Sequence, residues 1–78
     1  MTKSSFTEWL SFQAGRPDPV GDLAGDVARD PEWPSRSDGN LRDLLAYLRR
    51  MGACPGALEA LRQAWSEWQE VAREQLLP

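Results

Sequence analysis

Four aspartates, Asp18, Asp22, Asp26 and Asp30, stand at intervals of four in this chain. On a helix that spacing puts the carboxylates on one slowly drifting stripe. Such a stripe could hold a divalent cation or meet a basic protein partner. The first is disfavoured, because carboxylates on a straight helix do not wrap around an ion and no EF-hand loop spacing is present. The plainer alternative to both is a solvated or arginine-paired face. Asp18 and Asp22 also complement the positive N-terminal end of their helix, and Asp30 falls in its exit turn. Asp22, Asp26 and Asp30 are therefore the candidate partner-binding residues. Capping of a neighbouring helix or turn by Asp22 or Asp26 is the competing role.

Arg36, Arg42, Arg49 and Arg50 form a second constellation. Arg42 and Arg49 flank one side of a helix, Arg50 lies on the other, and Arg36 falls near its start. A basic edge of this kind could bind phosphate, so a nucleic-acid-binding regulator is the alternative function. Against it, Arg42 adjoins Asp43, and no helix-turn-helix, zinc or RNA-binding signature is present. The formal net charge of −3 also works against non-specific binding to nucleic acid or anionic membranes. Lys3 is the only lysine among nine basic residues, a preference that codon bias in a GC-rich bacterial genome explains without phosphate recognition.

Other chemistry is limited by inventory. There is no histidine, and Cys54 is the only cysteine. Ser-His-Asp triads, Cys-His dyads, Cys/His metal sites and an intramolecular disulfide are thereby excluded. Cys54 lies in a turn, where it reads as a small apolar filler, and a lone thiol suits a reducing cytoplasm. Paired acids work as general acid and base only where a pocket separates their pKa values. A chain of 78 residues has room for one core and little else. The expectation is a non-enzyme without cofactor or metal. No stretch approaches the roughly 18 apolar residues of a membrane span, and no signal-peptide core precedes the first helix.

The elements that must position these residues are helical throughout. Ser5-Phe6-Thr7-Glu8 matches a capping box and opens a helix over 5–14, with Phe6, Trp9, Leu10 and Gln13 on one face and Gly15 as a left-handed stop. Asp18-Pro19 starts a second helix over 19–30. Val20, Leu23, Ala24, Val27 and Ala28 define its buried face, and Gly21 is expected at a helix contact. Pro31 and Pro34 end it, with Trp33 pointing back as a plug and a short fifth turn allowed around 31–37. Leu41, Leu44, Leu45, Leu48 and Met51 make the apolar face of a third helix over 38–51, stopped by Gly52. Pro55 begins the longest helix, to 76, with a seam of Leu58, Leu61, Trp65, Trp68, Ala72 and Leu76. Glu59, Glu67, Glu70 and Glu74 are expected to face away from that seam. Residues 1–4 read as a flexible N-terminus, and 5–78 as one domain.

The order of landmarks resembles a known family. Phe6-x-x-Trp9-Leu10 is followed by Asp18-Pro19-Val20-Gly21-Asp22-Leu23-Ala24, then Asp30-Pro31-x-Trp33-Pro34, then Tyr47-Leu48 and Ala64-Trp65. Together these are similar to the YozE-like family of small bacterial proteins over about residues 5 to 70. Trp33 stands where the family pattern has phenylalanine, and Met51 to Gly56 is richer in small residues. The resemblance implies an all-α, SAM-like bundle of four main helices and no catalytic residues. The expected function is a cytoplasmic protein–protein interaction module that binds another protein or itself through Asp22, Asp26 and Asp30. The protruding end at Leu76 and Leu77 is a second candidate surface. A small phage- or plasmid-borne inhibitor is a further alternative, and no membrane or metal partner is expected.

Overall fold

A computed structural model describes residues 5–34 and 40–76. Four helices follow in order: α1 (Phe6–Ser11), α2 (Pro19–Ala28), α3 (Leu41–Arg50) and α4 (Pro55–Leu76). No strand occurs among the described residues. Residues 1–4 and 35–39 lie outside them, and so do the last three residues, 35–37, of the expected fifth turn.

The first helix starts as its capping residues dictate. The Ser5 hydroxyl accepts from the Glu8 amide at 3.1 Å. It ends earlier than the pattern predicts, at Ser11. Ser11 Oγ donates to the Glu8 carbonyl and Gln13 Nε2 to the Trp9 carbonyl, so side chains take up the last acceptors. The backbone then tightens into three-residue turns, with Phe12 N on Trp9 O and Gln13 N on Leu10 O. Gly15 is not the left-handed stop, because Gly52 is the one described glycine with positive φ. Phe12 is left 79% exposed.

Asp18 caps α2, accepting from the Gly21 amide at 2.9 Å, and Pro19 occupies the first turn. Val20, Leu23 and Ala24 are buried as predicted, Val27 is half-buried, and Ala28 is exposed because the helix ends there. The closest approach at Gly21 is to a loop and not to a helix: a Cβ there would lie 1.9 Å from the Arg16 carbonyl oxygen. Only a residue without a Cβ lets the α1–α2 link fold down on the first turn of α2.

Asn40 opens α3 by accepting from the Asp43 amide, so the helix begins at Leu41, three residues later than the predicted start. The helix closes in a Schellman motif: the Ala53 amide donates to Leu48 O, the Gly52 amide to Arg49 O, and Gly52 takes φ +78°. That closure turns Met51 outward, 61% exposed, instead of onto the core. Cys54 then serves α4 through its backbone, its carbonyl accepting from the Ala57 and Leu58 amides. Its side chain is exposed, which corrects the filler expectation.

The last helix is the spine. Its 22 residues give a rod of about 33 Å, against which α1, α2 and α3 all pack. Ala60, Leu61 and Ala64 are the buried positions of its middle turns, and the two alanines allow close approach. Phe6, fully buried, meets the rings of Trp65 and Trp68 at 5.0 and 5.7 Å. The two tryptophans themselves are half-buried. Trp33 closes the opposite side as predicted. It is buried, donates from Nε1 to Thr7 Oγ1 at 2.9 Å, and stands edge-on to Tyr47.

The two α2 glycines are therefore not equivalent. Gly21→Ala should destabilise the fold by more than about 2 kcal/mol, because backbone and not a side-chain tip must move. Gly25→Ala meets only the guanidinium of Arg29, at 3.6 Å, and should stabilise by about 0.5–1 kcal/mol through helix propensity. Urea or thermal unfolding of the two variants checks both signs.

Candidate functional site

The structure divides the aspartate ladder between folding and surface. Asp18 is held by its cap and by Arg16, whose Nη2 lies 2.8 Å from Oδ2. The Gly21 amide and then the Arg16 guanidinium keep its pKa below the usual carboxylate value. Arg16 continues from Asp18 to Glu67 on α4, at 2.7 Å. Its own pKa is raised, first by the Glu67 hydrogen bond and then by that to Asp18. Glu67 is held below its usual range by Arg16 and then by Gln63. This clamp corrects the sequence expectation that Glu67 faces away from the bundle. A separation of 51 residues leaves no local pattern by which the pair could be found.

Asp30 is also committed to the fold. Oδ1 accepts from the Glu32 amide at 2.9 Å, forming the exit turn, and Oδ2 accepts from the Tyr47 hydroxyl on α3. Asp22 and Asp26 differ. Asp22 is exposed with no side-chain partner among the described residues. Asp26 pairs with Arg29 at 2.8 Å, but both side chains are about three-quarters exposed, so water screens the pair. Neither side chain caps a neighbouring helix among the described residues, and the Ser35-Arg36-Ser37 turn weighed as their other capping target lies outside those residues.

Asp22 and Asp26 border a groove of about 300 Å³ between α2 and the first turn of α4. Leu23 and Ala60 form its floor, and Cys54 and Ala57 lie on the facing wall. A second groove of about 480 Å³ continues from it past Pro19, Gly56 and Ala60 to the Arg16–Glu67 clamp. Sequence reasoning found the two aspartates by their spacing. It did not find the opposing wall, since Cys54 and Ala57 come from a distant segment.

The arginines are placed less convergently. Arg42, Arg49 and Arg50 are exposed on α3 and make no ion pair among the described residues. Arg36 lies outside the described residues. Leu77 does too, so the candidate apolar end of α4 has no described tip. Among the described residues no group of three or more acidic or cysteine side chains could hold a metal ion. None of the described helices is long and apolar enough to cross a membrane.

Comparison with known protein families identifies the fold family. The family model described as YozE SAM-like fold matches residues 5–70, the stretch that contains the clamp, the groove and all four helices up to the last turns of α4. No curated protein and no solved structure matches the chain.

The Asp30–Tyr47 bond can be read directly, because Tyr47 is the only tyrosine in the chain. The carboxylate acceptor, with desolvation behind it, pushes the phenol up to about 12. The bond's contribution to stability is complete below the ordinary value of 10.0 and is lost as pH rises through about 12. Asp30→Asn should return the phenolate absorbance midpoint toward 10.0. An unchanged midpoint would show that Asp30 does not hold the hydroxyl.

Proposed function

The chain belongs to the YozE SAM-like family, and we propose that it acts as a non-enzymatic protein–protein interaction module whose contact surface is the open side of α2 at Asp22 and Asp26. The observation that carries this reading is the split of the ladder. Asp18 and Asp30 are spent on the fold, whereas Asp22 and Asp26 stand in water beside an open groove. Exposed charges with no partner, or only a water-screened one, among the described residues are available for electrostatic complementarity, which steers encounter and selects partners. The grooves are open, and acid–base work favours a pocket that shields its carboxyls from water. A reducing cytoplasm is the compartment we propose, because it leaves the exposed Cys54 thiol unmodified.

A second reading rests on the unpaired cations of α3. Among the described residues Arg42, Arg49 and Arg50 have no carboxylate partner, which leaves them available for phosphate contacts, and they would make the protein a nucleic-acid-binding regulator. It is secondary because three exposed arginines on a chain of net charge −3 make a small electrostatic footprint.

The two readings separate cleanly. Asp22→Lys with Asp26→Lys should abolish capture of the partner obtained by affinity purification from the native host, with stability changed by no more than about 0.5 kcal/mol. If binding is lost only in proportion to lost stability, the aspartates are structural and the surface assignment fails. For the alternative, binding to duplex DNA should weaken with salt with a log–log slope of about −3 when all three arginines meet phosphates. A flat response from low to physiological salt removes that reading.

A further inference from the structure

The groove beside Asp22 and Asp26 has a definite chemistry. Across its two joined parts it is lined by five carboxylates, Asp18, Asp22, Asp26, Glu59 and Glu67; Arg16 offsets part of that charge from within the groove, and Arg29 and Arg62 pair with Asp26 and Glu59 from outside its lining, which leaves the acids in excess. The first turns of α2 and α4 border the same space and bring their positive ends to it. Each helix end carries about half an elementary charge, so the carboxylates set the sign of the field. Between the charges the surface is apolar, with Pro19 and Ala57 rising above a floor of Leu23 and Ala60. An anionic rim around an apolar trough complements a cationic segment and offers little to an acidic one.

We infer that this groove receives a basic peptide segment of another protein, one Lys or Arg side chain meeting Asp22 and Asp26 while a neighbouring small apolar side chain rests on Pro19 and Ala57. This rests on the interaction function proposed above and names the chemistry of its partner. Asp22 has no competing partner among the described residues, so it can accept a charge-assisted hydrogen bond at once. Asp26 must share with Arg29 or release it, at little cost for a pair so exposed. The remaining carboxylates keep their structural bonds and act at a distance. The two parts together run from Asp26 to Glu67 as a trough between α2 and α4, a shape that suits an extended segment.

Cys54 makes the inference testable, because the only thiol in the chain is exposed on the groove wall. A random peptide display library selected on the full chain should enrich peptides with a Lys or Arg next to a small apolar residue. Those peptides, made synthetically, should slow iodoacetamide alkylation of Cys54 and bind Asp22→Asn/Asp26→Asn about tenfold more weakly. Ala57→Trp, which fills the trough and leaves both carboxylates in place, should weaken them as well. Thermal melting confirms that each variant is folded. Enrichment of acidic peptides, of peptides that leave Cys54 reactivity unchanged, or of none at all overturns the inference. Self-association seen by sedimentation, with Cys54 protected in the dimer, also overturns it by making a second copy the occupant. If the groove fails in these ways while Asp22→Lys/Asp26→Lys still abolishes capture of the native partner, the acidic surface reading survives alone. If capture also persists, both fail.

Discussion

Arg16 is held at both ends, and the arrangement of the bundle follows from that. Its carbonyl oxygen occupies the space that any side chain at Gly21 would need. Its guanidinium bridges Asp18, the cap of α2, to Glu67, past the middle of α4. One residue therefore fixes how the α1–α2 link lies on α2 and how that corner sits on the spine. The pairs are about one-third exposed, so their direct energy is modest. Their value is geometric: they choose one docking of the corner among several that the apolar faces alone would permit.

The energy itself lies in the apolar contacts. Phe6, Leu10, Leu44 and Leu61 are almost wholly buried, one or more from α1, α3 and α4, and Val20, Leu23 and Ala24 add the face of α2. Small chains bury a low share of their surface, and large rings compensate. Phe6 is enclosed by three tryptophans at 5.0 to 6.2 Å, and Trp33 seals the far side against Tyr47. The indole of Trp33 could be buried only because Thr7 accepts its N–H. The rigid core leaves α2 with one face committed and the other open, and that open face carries Asp22 and Asp26.

Function and fold thus draw on the same four aspartates and separate them by position. Asp18 meets an orphan amide of the first turn, because a helix N-terminus leaves donors unsatisfied, whereas Asp30, past the C-terminus, takes an amide of the exit turn and the Tyr47 hydroxyl. The middle members sit where every backbone group is already bonded within the helix, so their carboxylates remain for solvent or a partner. Regular spacing makes all four look alike in sequence, although the ends of a helix and its middle pose different chemical demands.

Caps, breakers and apolar periodicity are local, and they were legible residue by residue: Ser5, Asp18-Pro19, Gly52 and Pro55 punctuate the chain as their chemistry requires. The apolar faces of α2 and α3 and the family landmarks follow from the same short-range signals. Where local cues conflicted, the pattern misled: Ser11 and Gln13 ended α1 before Gly15, and the Schellman turn carried Met51 out of its apolar stripe. The pairing of Arg16 with Glu67, the bond from Tyr47 to Asp30 and the groove facing Cys54 were decided only by tertiary structure. Each depends on the angle and offset at which helices dock. Those are set by the summed packing of side chains from distant segments, which no short window of sequence contains.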